Sequence, residues 1–442
     1  MQRLTLNTKF LNARFNPLWV LLLLCGISIA QGIRYTRDYG GTDLRTRVVG
    51  ARLLAAGKSP YFYKWEPGEP EQWIVTPHHP RRPAEVNGVS VAPGLLYLHM
   101  PMNGLRYGAI RWLWTVIQYV LLALIFWCLL ARSDLDPVRR TRALALGFLF
   151  FGCSALFLLN VERGQSYLVL AAGLAGLLYF ARQRQAAAQF GAGVLLALLV
   201  FFRPTMLVFA LPFLLAARWN FLAGLACAGV PLALHMLVSP LWQEYGRAMK
   251  IYGGLQRSAL VFTPDWEFPA YVEGRPAPWI MRAARDFRIG GLPSLFFKYS
   301  YWLRPLPRGS FVFVFAAMAS SVVLLLRKRI QAGRAEDLVL TGFLLYIFLE
   351  VLIPAPRGSY NMILWIIPSL LLLANGRGGL VTQAFLLAGL CLVIGFPLAT
   401  PTLHSIGEIL LLIALFHHLN SAPKAIATLS NDKPQTTNDK LP

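Results

Sequence analysis

Gly191-Ala192-Gly193-Val194-Leu195-Leu196-Ala197-Leu198-Leu199-Val200-Phe201-Phe202 carries no charge at all, and it stops abruptly at Arg203-Pro204. A helix apolar on every side belongs in the core of a large protein or in a bilayer. This run is one of many. Hydrophobic stretches near 18–33, 107–131, 143–159, 166–181, 188–202, 204–217, 221–238, 311–326, 337–353, 361–374, 380–397 and 403–418 mark about twelve expected spans. Several are shorter than the roughly 20 residues that cross a bilayer, so short or tilted helices are expected around 188–217.

Composition agrees. Of 442 residues, 56% are hydrophobic and 14% charged, with a mean hydropathy of +0.52. A soluble domain of this size has no way to hide that much apolar surface. The reading is therefore an all-α polytopic membrane protein. The net charge of +22 is read as topology signal and attraction to anionic membrane lipids, not as a nucleic-acid surface, because no basic stripe lies on a soluble domain. The cysteines, Cys25, Cys128, Cys153, Cys227 and Cys391, all fall in hydrophobic spans without metal-like spacing. They read as small buried hydrophobes. The first apolar stretch runs on through Gln31-Gly32-Ile33-Arg34 without a small-x-small cleavage site and is read as an uncleaved helix.

Basic residues set the expected orientation. Arg3, Lys9, Arg14, Arg132, Arg139, Arg140, Arg142, Arg182, Arg184, Arg218, Arg327, Lys328, Arg329, Arg334 and Arg377 fall in one alternating set of connections. Arg163, Arg203 and Arg357 stand singly in the other. Both termini are then cytoplasmic. Loops near 34–106 and 239–310 face outward, in a bacterium from the inner (plasma) membrane into the periplasm or exterior. One integral-membrane domain is expected over 1–418, with amphipathic helices in its first outward loop. A polar cytoplasmic tail, read as disordered, covers 419–442.

The outward edges hold polar groups. Arg34, Arg37, Asp38 and Asp43 follow the first span. Glu162, Arg163, Gly164 and Gln165 join the third and fourth. Arg203 interrupts the fifth and sixth, and Glu350, Arg357, Tyr360 and Asn361 bracket the turn after the ninth. Ionisable groups there are costly unless paired, hydrated or used. Gathered on one side, they meet the needs of an anionic lipid headgroup. Snorkelling explains any one arginine equally well.

Three stretches together resemble glycosyltransferase family 87, the polyprenyl-phosphate-mannose-dependent mannosyltransferases of GT-C fold. The first is Asp43, an Ala/Leu-rich amphipathic helix, then Gly57-Lys58-Ser59-Pro60-Tyr61. The second is Gly164-Gln165 and a hydrophobic helix, then Arg182-Gln183-Arg184 and Ala192-Gly193-Val194-Leu195-Leu196 up to Arg203-Pro204. The third is Arg357-Gly358-Ser359-Tyr360-Asn361. Ala92-Pro93-Gly94-Leu95 also fits. Tyr167 stands where an Asn is common, Arg203 where a Lys is, and Tyr360-Asn361 where a His is common.

The resemblance implies a GT-C membrane enzyme that moves a hexose, mannose by analogy, from a polyprenyl-phosphate sugar to a glycolipid or glycan acceptor at the outer face, with inversion. No cofactor and no metal are expected. An inverting displacement needs one base on the acceptor hydroxyl. Asp43 is that candidate, with Asp38 as its competitor and a helix cap as its structural alternative. The leaving phosphate gains charge, which guanidinium forks stabilise. Arg203 is the first candidate for donor phosphate and sugar, with Arg357, Gln165, Arg163, Tyr360 and Asn361 beside it. His99 and Trp266 are candidate acceptor contacts. His78-His79 reads as a solvated loop, because adjacent histidines point apart. Two other readings remain open: a lipid-linked glycan ligase, and a non-enzymatic transporter or flippase of lipid-linked sugars.

Overall fold

A computed structural model describes residues 17–75, 86–130, 137–262, 308–352, 359–375, 379–396 and 401–421. Every regular element among them is helical. The helices are α1 (Pro17–Asp38), α2 (Thr42–Ala55), α3 (Pro93–His99), α4 (Tyr107–Leu130), α5 (Pro137–Gly147), α6 (Ala155–Arg163), α7 (Tyr167–Ala181), α8 (Ala186–Phe202), α9 (Ala210–Leu215), α10 (Trp219–Val238), α11 (Pro240–Phe262), α12 (Arg308–Ala332), α13 (Ala335–Leu352), α14 (Ile366–Asn375), α15 (Gly379–Val393) and α16 (Pro401–Asn420).

All twelve apolar stretches form helix close to their expected limits. Crossing a membrane is a stricter test. Among the described residues α1, α4, α10 and α16 are long and apolar enough by themselves. A fifth span results if α5 and α6, bent by 51° across a π-helical turn at Phe148–Gly152, count as one. By length and composition the described residues thus supply four or five membrane-capable helices, beside an expectation of about twelve spans. Among the others, α7 and α8 are shorter, with 15 and 17 residues, and end at Arg182 and Arg203. α8 stops at Phe202 because the residue before a proline is driven out of the helical region, and Arg203 is extended (φ −150°, ψ 99°). Short 3₁₀ turns at Pro204–Phe209 and Ser359–Trp365 lead into α9 and α14.

α4 shows how solvent is partitioned. Trp112, Val116, Val120, Leu124 and Trp127 form one exposed apolar stripe. Arg111, Trp114, Gln118, Leu122, Ile125 and Leu129 form the opposite, buried one. Both follow helical spacing. A long apolar outer stripe over a partly polar interior is stable only against lipid.

α2 is the amphipathic helix of the segment between α1 and α4. Leu44 and Val48 pack on Ile110 and Trp114 of α4. Val49 and Leu53 pack with Tyr61, Val89, Leu96 and Ala248 of α11. Ser59 donates to Glu244 at 2.5 Å, tying the segment after α2 to α11. Trp242 of α11 is buried against Phe201 at 5.7 Å between ring centroids. α10 meets α8 at glycines. A Cβ on Gly193 would strike the Phe221 carbonyl, and one on Gly224 the Phe190 carbonyl. Backbones this close admit only small residues.

Gly224→Val should destabilise by about 1–3 kcal/mol through overpacking. A lowered thermal midpoint of the purified chain would show it. An unchanged midpoint would mean that α8 and α10 separate at no cost.

Candidate active site

The site is built on the carboxyl end of α6. Gly164 takes the left-handed conformation (φ 67°, ψ 45°). The Gln165 amide donates to the Asn160 carbonyl at 2.9 Å and the Gly164 amide to that of Val161 at 3.2 Å. This pairing closes a helix with a glycine stop. One buried stripe of α4 satisfies the same carbonyls. Gln118 Nε2 donates to Asn160 O at 3.1 Å. Arg111 Nη1 donates to Val161 O, and its Nη2 to Glu162 O at 2.9 Å. Trp114 Nε1 donates to Gln165 O at 3.2 Å. The turn is thereby held rigid where it presents Arg163 and Gln165.

Asp43 meets that turn. Arg163 grips its carboxylate as a fork, Nε to Oδ2 at 2.5 Å and Nη2 to Oδ1 at 3.1 Å. Gln165 Nε2 also donates to Oδ2. A carboxylate offers about four lone-pair positions, so Oδ1 keeps one. The pair is accessible, at 27% side-chain exposure for Arg163 and 22% for Asp43. The cap of α2 is Gly41, and no side chain hydrogen-bonds there. The helix-cap alternative for Asp43 is thus not what the fold uses. Asp38 pairs with Arg34 on an exposed face of α1.

Arg47, one turn beyond Asp43, is buried. Its Nη1 donates to Gly164 O at 2.7 Å and its Nη2 to Gln165 Oε1 at 2.5 Å. Burial pulls the pKa of this guanidinium down, and the nearby Asp43 carboxylate opposes the shift. Gln165 therefore bridges Arg47 to Asp43. Its amide orientation is fixed, because its oxygen must face the cation.

Arg203 anchors a second group. Its Nη2 donates to Glu350 at 2.6 Å, Nη1 to the Tyr167 hydroxyl at 2.9 Å and Nε to Thr205 at 3.3 Å. The guanidinium lies over the rings of Tyr167 and Tyr346, at 5.3 and 5.9 Å. Tyr346 and Glu350 are one turn apart on α13 and share a face. Tyr360 joins the two groups. Its ring is 5.6 Å from that of Tyr167 and lies under the Arg163 guanidinium, also at 5.6 Å. Asn160 Nδ2 holds the Tyr360 carbonyl at 3.0 Å. Asn361 is buried beside it, with Oδ1 making no hydrogen bond among the described residues.

Asp43, Arg163, Gln165, Arg203, Tyr360 and Asn361, all chosen from sequence, thus lie in one neighbourhood. Arg357 and Trp266 lie outside the described residues. His99 does not face the site's surface. It is wholly buried, 4.7 Å from the Trp114 ring, with Nδ1 on its own helix at Leu95 O. Arg47 and Tyr167 are the members that sequence reasoning did not select, and Glu350 enters it only as one of the polar groups at the helix edges.

Two predictions follow from this packing. Gly164→Ala would force a left-handed alanine and drive its Cβ into that of Leu44. Its thermal midpoint should fall by a few degrees; an unchanged midpoint would mean that the turn is slack. Burial also pushes His99 down to about 4, against about 6.5 for a free histidine. Between those values the unfolded chain takes up a proton that the folded one refuses, so stability falls with pH from about 6.5 and levels off near 4. The loss by pH 5 is about 2 kcal/mol. His99→Gln should flatten the fall in thermal midpoint between pH 7 and 5; an equally steep fall in the variant would assign the effect elsewhere.

The glycosyltransferase family 87 model matches residues 92–346, more than half of the chain. No curated protein and no solved structure matches it. The matched stretch contains Arg163, Gln165, Tyr167, Arg203 and Tyr346, whereas Asp43, Glu350 and Tyr360 lie outside it. With its apolar, lipid-facing helices and this match, the chain belongs to glycosyltransferase family 87 and is a membrane glycosyltransferase.

Proposed function

We propose that the protein transfers a hexose, mannose by analogy, from polyprenyl phosphate to a glycolipid or glycan acceptor at the outer membrane face, with inversion at the anomeric carbon. The observation that carries this reading is Asp43, an accessible carboxylate oriented by Arg163 and Gln165. Beside it, through Tyr360 and Tyr167, stands a second guanidinium, Arg203.

The acceptor hydroxyl oxygen attacks the anomeric carbon on the face opposite the phosphate. The anomeric C–O bond to phosphate breaks, and its electron pair goes to the phosphate oxygen. The hydroxyl proton passes to the free lone pair of Asp43 Oδ1. Arg163 holds the carboxylate in aim during the transfer. Arg203 has five N–H donors, and its hydrogen bonds to Glu350, Tyr167 and Thr205 leave donors for a phosphate oxygen. The tyrosine faces of Tyr167 and Tyr360 provide a platform for the sugar ring. Membrane-facing helices around this cluster suit a donor with a long apolar tail.

The test compares sugar transfer in membranes carrying wild type or Asp43→Asn, with radiolabelled polyprenyl-phosphate mannose as donor and lipid extract as acceptor. Loss of a general base should lower transfer by about 10²–10⁴-fold at equal expression. Equal transfer by both would remove Asp43 from the chemistry. No transfer by either, with this and other polyprenyl-phosphate sugars, would favour a ligase or transporter instead.

A further inference from the structure

A second cluster of charge lies at the other ends of the same helices that carry the first. α7 begins at Tyr167 and ends just before Arg182, about 22 Å on at 1.5 Å per residue. α8 ends at Arg203 and begins just after Arg184-Gln185, about 25 Å away. α13 carries Glu350 near one end and Glu336 near the other, about 21 Å apart. At this far end Arg182, Arg184, Arg218, Arg334 and Glu336 line a cavity of about 310 Å³.

The charges in this cavity do not cancel. Arg182 pairs with Glu336 at 2.8 Å and also donates to the Leu129 carbonyl at 3.0 Å, so it is committed to the fold. Arg218 spends one nitrogen on the Gly333 carbonyl. Arg334 stands 3.7 Å from Glu336 and is 41% exposed. Arg184 is exposed and has no hydrogen bond or ion pair among the described residues. Four arginines thus face a single carboxylate across an open cavity. Like charges held this close are unfavourable unless a counter-charge enters.

The rim of the cavity indicates where that counter-charge comes from. Trp219 follows Arg218 directly and is 70% exposed, at the start of α10. α10 is among the helices able to cross a membrane, and its window is only 11% buried. A bare apolar helix capped by an exposed tryptophan places the cavity at headgroup depth, with acyl chains alongside.

We propose that this cavity binds the phosphate of an anionic membrane phospholipid, with Arg184, Arg218 and Arg334 as the phosphate contacts and the acyl chains lying against α10. Guanidinium forks match phosphate oxygens. Glu336 pairs with both Arg182 and Arg334, and its single charge leaves the four arginines with a net positive balance. The site is separate from Asp43 and requires no particular reaction there.

Native mass spectrometry of the full chain released from detergent tests this, with titration of phosphatidylglycerol, phosphatidylcholine of the same acyl chains, or inorganic phosphate. The expected result is saturable phosphatidylglycerol adducts that phosphatidylcholine does not match. Affinity should fall at least tenfold in Arg184→Gln/Arg334→Gln and measurably in Arg184→Gln alone, a change that breaks no contact of the fold. Arg327→Gln/Lys328→Gln removes the same charge from exposed positions of α12 and should leave affinity unchanged. An equal loss in that control, or equal binding of phosphatidylcholine, would overturn the proposal. Inorganic phosphate binding as tightly as the lipid would assign the cavity to a soluble phosphate and overturn the lipid assignment.

Discussion

The last carbonyls of a helix need hydrogen bonds, and inside an apolar bundle water does not supply them. The end of α6 meets this demand twice over. Its own chain turns back through Gly164, and Arg111, Trp114 and Gln118 reach it from α4. The Asp43 group is fastened to that end. Gly164 offers its carbonyl to Arg47, Gln165 reaches both Arg47 and Asp43, and Arg163 grips Asp43. The geometry of Asp43 is therefore set by backbone accounting in a neighbouring helix, more than by its own.

The two ion pairs at the site differ in kind. Arg163–Asp43 is reachable by solvent on both partners. In Arg203–Glu350 the carboxylate is only 6% exposed. A buried carboxylate left without its partner is strongly unfavourable, whereas an accessible pair exchanges partners at little cost. The first pair is thus the one whose partners are free to trade contacts with a substrate. The second is a fixed post, which keeps Arg203 over the tyrosine faces while its spare donors stay available.

The class of fold was legible because apolar runs and charged breaks lie in the sequence itself. The break at Arg203-Pro204 is local chemistry and needs no partner. Helix continuity was less so, because a run's hydrophobicity does not show where a helix bends, as between α5 and α6. At the site, Asp43, Arg163, Gln165, Arg203 and Tyr360 stood out as polar residues at the edges of apolar runs. Arg47 did not: it lies inside an amphipathic helix and counts only once Gln165, 118 residues away, comes to it. Tyr167 read as a departure from the family pattern, yet its hydroxyl and ring hold Arg203. A signal did exist for the α4 stripe. Arg111, Trp114 and Gln118 fall on one face of an otherwise apolar helix, a spacing that marks an inward polar face. His99 went the other way: a histidine near a membrane edge resembles a ligand contact, and only packing against Trp114 reveals a core residue.

Helix length then links the two ends of the molecule. α7, α8 and α13 are each polar at both tips and apolar between, and at about 22–27 Å each they are shorter than a hydrocarbon core of about 30 Å. A polar tip on so short a helix reaches water only if the bilayer thins around it or if protein and headgroups fill the gap. At the Asp43 end, α3 and α11 pack over the tip of α8, and α2 over that of α7. The arginine-lined tips present an open cavity instead. The asymmetry places folded protein over the Asp43 end and leaves the arginine end to be completed by what surrounds it.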